Sequence, residues 1–212
     1  MSDLKTITRT NGVNYTVRSN RDRFFYPDEW LKFYEQLTPK TQLYFDLLLG
    51  LGARINEVRH IKVEDIDFDN KRVILRVTKI KAKKGEKNPR PRTISFSSQL
   101  GKKLRKHIKE NNLTNPDYIG ISSTAAMNGT LKRGLQKAEI KDWQMFSIHN
   151  LRKTLGNWLK ALGIDGAEIC TRLGHDYNTF LRSYSSPDIF SESERRKMVN
   201  ILGDLYEDKV KV

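Results

Sequence analysis

Apolar residues recur at intervals of three and four along most of the chain, and this period predicts α-helices. Capping residues and glycines mark where several of these helices begin and end. We predict eight helices. Four are placed by their starts, with Asp28 as the cap of the first and with Arg54, Ser98 and Ser191 at the beginning of the others. The other four span about 40–49, 123–138, 149–162 and 165–173. Gly163 and Gly174 follow two of these helices, in the usual position of a left-handed C-terminal residue.

One stretch has a period of two instead. Val73, Leu75 and Val77 alternate with polar residues, as in a half-buried strand, and residues 93–96 return as its partner. The connection over 79–90 is long, rich in lysine, and contains a glycine and a proline. The sequence therefore predicts an α+β fold that is mainly α, with a small antiparallel hairpin.

The net charge of +14 on the 212 residues is concentrated in one place. Residues 71–110 hold 15 lysines and arginines against two glutamates, so this segment alone carries +13. Such a surface favours a polyanion, because each neutralised phosphate releases counterions. Nucleic acid is therefore the expected partner, and its candidate contacts are the basic residues of the hairpin, Lys81, Lys83, Lys84, Lys87, Arg90 and Arg92.

Other features narrow the class of protein. Apolar runs are only a few residues long and the N-terminus lacks the apolar core of a signal peptide, so we expect a cytoplasmic protein associated with DNA and not with a membrane. Cys170 is the single cysteine, which excludes an internal disulfide, and its apolar neighbours predict core packing. The four acidic residues within 64–69 have no companions elsewhere, which disfavours a metal-dependent nuclease.

The candidate chemistry lies mainly between residues 147 and 184. His149 and Arg152 are three apart on one predicted helix, opposite its apolar stripe; His175 follows a helix end, and Tyr184 comes nine residues later. Together with Arg54, these side chains would form an anion site, since guanidinium forks match phosphate oxygens. A tyrosine hydroxyl near cations is a plausible nucleophile at phosphorus, and a lysine of the hairpin could protonate the leaving oxygen.

These residues resemble the motifs of the tyrosine recombinases, also called the phage integrase family. Residues 52–58 (GARINEV) look like the family's first arginine motif, G-x-R-x-x-E-[LV], and residues 77–79 (VTK) look like its catalytic-lysine position. Residues 149–152 (HNLR) are similar to the H-x-x-R motif. Residues 173–175 (LGH), followed by Tyr184, have the family's interval between its last histidine and its nucleophile. The resemblance covers roughly 27–205, the family's catalytic domain.

The resemblance implies a role for each position. Arg54 and Arg152 would clamp the scissile phosphate of DNA, helped by His149 and His175. Tyr184 would attack phosphorus and form a 3′-phosphotyrosyl link, which needs no metal, nucleotide or other cofactor.

Two supporting roles follow from the same resemblance. Glu57 would orient Arg54 or a nearby histidine. Lys79 would protonate the departing 5′ oxygen. The hairpin connection after it is longer than the family's short turn, so the lysines at 81, 83 and 84 compete for this role.

The resemblance also implies an assembly and a division of the chain. In the family, four protomers act on two duplexes and the last helix docks on a neighbour, so we expect double-stranded DNA and further copies of this chain as partners. Accessory DNA-bending proteins are not identified by the sequence. We divide the chain into a basic N-terminal arm or linker (1–25), the recombinase catalytic domain (26–190) and a C-terminal helix or tail (191–212) that is the candidate for exchange. The family usually carries a separate DNA-binding domain ahead of this unit, so the chain is either a catalytic fragment or a minimal enzyme.

Three functions stay open at this level. The first is a site-specific recombinase or integrase of a mobile genetic element. The second is a related enzyme that relaxes DNA, like a type IB topoisomerase, or resolves hairpin ends. The third is a catalytically silent DNA-binding regulator of integration. Tyr177 is a rival nucleophile because it lies two residues after His175. The presence of every expected catalytic side chain favours the first function.

Overall fold

The computed structural model describes residues 5–8, 14–17, 23–76, 91–184 and 189–206. The hairpin connection lies outside these ranges, and with it lie six predicted site residues, Lys79, Lys81, Lys83, Lys84, Lys87 and Arg90.

Helices make up most of the described structure. In chain order they are α1 (Pro27–Glu35), α2 (Pro39–Leu51), α3 (Ile55–Arg59), α4 (Ser98–Glu110), α5 (Thr124–Lys137), α6 (Ile148–Ala161), α7 (Gly166–Leu173), α8 (Tyr177–Tyr184) and α9 (Glu192–Leu202). The helix predictions are confirmed to within a few residues, and Asp165 and Ser191 cap α7 and α9 with their side chains as predicted. In the described ranges, no helix is both long and apolar enough to cross a bilayer.

The structure corrects the start of α1. Tyr26 is its N-terminal cap, and Pro27 occupies the first turn, where its missing N–H costs nothing. Asp28, the predicted cap, instead forms an ion pair with Lys197 of α9 at 2.5 Å. Helix α8 was not predicted at all.

Two small antiparallel sheets accompany the helices. Strands β1 (Lys5–Thr8) and β2 (Asn14–Val17) form a hairpin within the predicted N-terminal arm. Strands β3 (Ile66–Asp67), β4 (Arg72–Leu75) and β5 (Arg92–Ser95) form a three-stranded sheet in that order. The predicted hairpin is the β4–β5 pair, in which the buried residues Val73 and Ile94 face each other.

Helix α6 is the centre of the fold, and it packs against α2, α5, α7, α8 and α9. Leu155 and Trp158 of its apolar stripe are fully buried, as the pattern predicts. Arg152 lies on the opposite face, as predicted, and is only 2% exposed. Burial of this cation is tolerated because main-chain carbonyls accept hydrogen bonds from it.

The segment 23–26 is part of the core and lies along α6. The Phe25 N–H donates to Thr154 Oγ1 at 2.9 Å, and Trp158 Nε1 donates to the Phe25 carbonyl at 2.9 Å. Arg23, which counts among the basic residues of the predicted arm, is fully buried and pairs with Asp142 at 2.7 Å. This segment therefore braces the helix that carries His149 and Arg152.

The C-terminal segment docks on its own chain. Helix α9 packs against α1, and Met198 within it is fully buried. Beyond the helix, Asp204 accepts the Ser98 N–H at 2.6 Å and so satisfies the first turn of α4. Tyr206 is buried, and so is Cys170, as its apolar neighbours predict.

Two glycines with positive φ provide a test of the packing around α6. Gly52 (φ 58°) ends α2, and a Cβ there would lie 2.6 Å from Leu155 and 2.7 Å from Leu173, whose side chains are both fully buried. Gly163 (φ 80°) has no atom within 4 Å of such a Cβ. Gly163→Ala should therefore lower the free energy of unfolding by about 1–2 kcal/mol for backbone strain alone. Gly52→Ala should cost about 1–3 kcal/mol more, because it also overpacks the core.

Urea denaturation of both variants measures these losses directly. Equal losses would contradict the packing described around Gly52.

Candidate active site

Arg54 is placed by the turn between α2 and α3. It is the N-terminal cap residue of α3 and follows Ala53, which in turn follows the left-handed Gly52. Glu57, three residues on, accepts the Arg54 N–H at 2.7 Å and Arg54 Nη1 at 3.1 Å. The R-x-x-E spacing therefore has a local cause, since a residue at the third helical position can bond back to the cap. The Arg54 side chain keeps 23% of its surface exposed.

Glu57 is held between two arginines. Its side chain is only 1% exposed, and Arg92 Nη2 of β5 donates to it at 2.8 Å. Burial alone would raise the pKa of Glu57, but the Arg54 N–H and the charges of Arg92 and Arg54 outweigh burial and lower it. Glu57 is therefore an ionised carboxylate that joins α3 to the sheet.

Arg152 joins α6 to the ends of two other helices. Its Nη1 donates to the Gly52 carbonyl at 2.7 Å, and its Nη2 donates to the Leu173 carbonyl at the end of α7. These bonds use two of the five N–H donors of a guanidinium. Because Gly52 and Gly174 are both left-handed, the two chain reversals bring the loops that carry Arg54 and His175 to the same guanidinium.

A cleft of about 320 Å³ lies over these contacts. Arg54, Glu57, His149 and Arg152 line it, together with residues from the first turns of α5 and α6. His149 is exposed, one turn before the buried Arg152. Helix N-termini and arginine side chains both attract anions, so the cleft is suited to a phosphate.

His175 reaches the same cluster from α7. Gly174 ends that helix, and the His175 N–H donates to the Cys170 carbonyl at 3.1 Å. Burial, and after it the neighbouring Arg152, Arg54 and His149, together lower the pKa of His175 to about 4. The His175 imidazole is therefore neutral at pH 7, and it lies close enough to Arg152 and Arg54 to feel their charge.

Helix α8 begins two residues after His175 and packs against α6 and α7. Tyr184 is its last residue, and its side chain lies outside the described part of the structure. Tyr177, the rival nucleophile, is the first residue of the helix and is 57% exposed. Seven residues of α-helix separate the backbones of the two tyrosines by about 10.5 Å along the helix axis.

Two of the four acidic residues of 64–69 have structural roles. Asp65 is buried and pairs with Arg76, and Asp67 accepts the N–H groups of Asp69 and Asn70 in a turn. Among the residues that the structure describes, no three His, Cys, Asp or Glu side chains are grouped to hold a metal ion.

Two arginines, Arg92 and Arg172, are held inside the protein. Arg92, predicted as a DNA contact, has a side chain only 12% exposed and bound to Glu57. Arg172, which was not singled out, is buried and donates to the carbonyls of Gly50 and Ser95. Both had a signal. Arg92 shares the alternation of the buried Ile94, and Arg172 interrupts an apolar helical stripe.

The described chain is thus a mainly helical domain with an arginine-lined cleft and a tyrosine-bearing helix that packs against α6 and α7. Residues 23–188 match the sequence profile of the phage integrase family. The chain therefore belongs to the phage integrase family. A tyrosine recombinase of Pseudothermotoga lettingae is 26% identical to it over 180 residues, which are 82% of this chain and 60% of that protein.

Solved structures share the fold. The XerA recombinase has a TM-score of 0.65 at 18% identity, over 90% of this chain and 66% of that one. The Tn1549 transposon integrase, in complex with transposon right end DNA, has a TM-score of 0.64 at 18% identity, over 85% of this chain and 66% of that one. The XerH recombinase, bound to its difH substrate before cleavage, has a TM-score of 0.62 at 17% identity, over 85% of this chain and 56% of that one. This chain thus spans about 60% of the P. lettingae recombinase and just under two thirds of the XerA chain.

The neutral state of His175 is testable by NMR. Its ring signals should titrate with a midpoint at about 4. Because this value lies below the unfolded-state pKa of about 6.5, the unfolded chain binds the proton more tightly, and this histidine makes stability fall as the pH drops from about 6.5 towards 4. Arg54→Gln should raise the midpoint by removing a nearby positive charge.

Arg196→Gln is the matched control, because Arg196 is an exposed arginine on α9 that pairs with Glu192. It should leave the His175 midpoint unchanged. A wild-type midpoint near 6.5 would contradict the placement of His175 among these cations.

Proposed function

We propose that this chain is the catalytic part of a site-specific DNA recombinase or integrase that cleaves and rejoins strands through Tyr184. The observation that carries the proposal is the single cleft shared by Arg54, His149 and Arg152, with His175 inside the reach of their charges. Membership of the phage integrase family supports the same chemistry.

The reaction uses side chains only. The Arg54 and Arg152 guanidiniums bind the non-bridging oxygens of one phosphate and stabilise the charge that develops there. The Tyr184 hydroxyl oxygen forms a bond to phosphorus while the bond from phosphorus to the 5′ oxygen breaks. The products are a 3′-phosphotyrosyl enzyme and a free 5′ hydroxyl. Attack by a 5′ hydroxyl of a second strand reverses these steps and releases Tyr184.

Two protons move in this step. The tyrosine hydroxyl loses one, and the neutral His175 is a base that can accept it, while nearby cations favour the phenolate. The departing 5′ oxygen gains the other from Lys79, for which the lysines at 81, 83 and 84 remain competitors. Together with Lys87 and Arg90, the same segment would contact the DNA backbone and make binding salt-sensitive.

Double-stranded DNA is the proposed partner, and the chain would act in the cytoplasm in association with DNA. The Tn1549 integrase and XerH structures are DNA complexes of proteins that share this fold. We further propose that four copies assemble on two duplexes through the C-terminal segment. Its contacts with α1 within one chain are the contacts that an exchanged segment would make on a neighbour.

Covalent trapping tests the proposal. A pool of duplexes with randomised sequence beside a nick is incubated with the protein in EDTA, and denaturing gels reveal any covalent adduct. The nick lets the short 5′ strand diffuse away, so the phosphotyrosyl link accumulates. Wild type should form an adduct, and Tyr184→Phe should abolish it because the attacking oxygen is removed.

Tyr177→Phe is the matched control, since it removes an exposed hydroxyl from the other end of α8. It should retain adduct formation. An adduct that survives Tyr184→Phe would show that another residue is the nucleophile, and Tyr177 would be the first candidate. Salt-sensitive binding without any adduct would mean a silent DNA-binding protein.

A further inference from the structure

We propose that Arg92 is a positioning residue that fixes the Arg54 turn and the His175 turn relative to one another. This inference rests on the proposed function, since it assigns Arg92 to the same site. Arg92 would not touch the DNA; it would act through Glu57 and through the end of α7.

One branch of the Arg92 guanidinium reaches Arg54 through a single carboxylate. Nη2 donates to Glu57 Oε2 at 2.8 Å. The same oxygen accepts the Arg54 N–H at 2.7 Å, and the other oxygen accepts Arg54 Nη1 at 3.1 Å. Glu57 is buried, so little solvent screens these contacts. A shift of Arg92 would therefore move the carboxylate on which both the main chain and the side chain of Arg54 depend.

The other branch reaches the end of α7. Nη1 donates to the Arg172 carbonyl, three residues before His175. A Cβ on Gly174 would lie 3.2 Å from Nη1 and 3.3 Å from the central carbon of this guanidinium. Gly174 is therefore needed for two reasons: its φ of 59° turns the chain, and its missing side chain lets Arg92 lie against it. A cation at a helix C-terminus also complements the helix dipole.

The two branches explain why the residue is arginine. A guanidinium has a rigid planar fork and can serve two acceptors in different directions, whereas a lysine ammonium is a single point charge. A residue that binds phosphate has different requirements: its side chain must be exposed, and a lysine would serve as well as an arginine. Only 12% of the Arg92 side chain is exposed, which fits a residue that bonds two acceptors inside the protein.

The experiment compares Arg92→Lys and Arg92→Gln with Arg59→Gln, a control in which an exposed arginine is removed from the end of α3. Single-turnover adduct formation is measured at saturating nicked DNA, and DNA affinity is measured against salt. We expect both Arg92 variants to form adduct about tenfold to a hundredfold more slowly, the range typical of residues that orient a catalytic group. Affinity, its salt slope and the Arg59→Gln rate should stay close to wild type.

A second readout needs no activity. The histidine ring signals of the full, DNA-free protein are recorded by NMR, and the His175 signals are assigned with a His175→Gln variant. Both Arg92 variants should move the His175 signals and leave those of His60 and His107 in place, because His60 is exposed near α3 and His107 is buried against the Ile119 carbonyl. Arg92→Gln combined with Glu57→Gln should slow the reaction no more than the slower single variant, since both act through one contact.

The outcomes separate this inference from the proposed function. If wild type forms no adduct, the proposed function fails, and the His175 signals alone decide the role of Arg92. If Arg92→Lys keeps the wild-type rate and His175 signals, the positioning role is wrong. If Arg92→Gln lowers the salt slope by about one with an unchanged single-turnover rate, Arg92 is a DNA contact instead.

Discussion

The structure depends on one buried cation. Arg152 lies within the central helix and must satisfy its guanidinium inside the protein, because a buried charge without partners would be very costly. Its partners include the carbonyls of Gly52 and Leu173, which belong to chain segments more than a hundred residues apart. Through these two hydrogen bonds, Arg152 brings the turn that carries Arg54 and the turn that carries His175 to the same place.

This arrangement separates the residues that build the cleft from those that face it. The guanidinium groups of Arg92 and Arg172 donate hydrogen bonds to main-chain carbonyls, and Arg92 also donates to Glu57. Arg54 and His149 keep exposed surface at the cleft. Burial, together with the surrounding positive charge, keeps His175 neutral, so the site contains strong hydrogen-bond donors for a phosphate and also a base. A site made only of protonated groups would bind an anion but could not accept the tyrosine proton.

Much of this could be predicted from the sequence, because helical period, caps and glycine stops are local signals. The order and spacing of the motifs were enough to name the family. The signals failed where tertiary contacts decide the outcome. The burial of Arg152 has no local signal, because its carbonyl partners are distant in sequence. Arg92 was read as one more basic hairpin residue, although its alternation with Ile94 pointed inward. Helix α8 has too short an apolar stripe, around Phe180, to be recognised without the neighbours that cover it.

The most direct measurement is a crystal structure of the Tyr184→Phe variant bound to an uncleaved duplex. One phosphate should lie in the cleft, within hydrogen-bond distance of Arg54, Arg152 and His175. Glu57 should still bridge Arg54 and Arg92 in that complex. DNA bound across another face, with the cleft empty of phosphate, would contradict the central claim that Arg152 gathers these segments around one phosphorus atom.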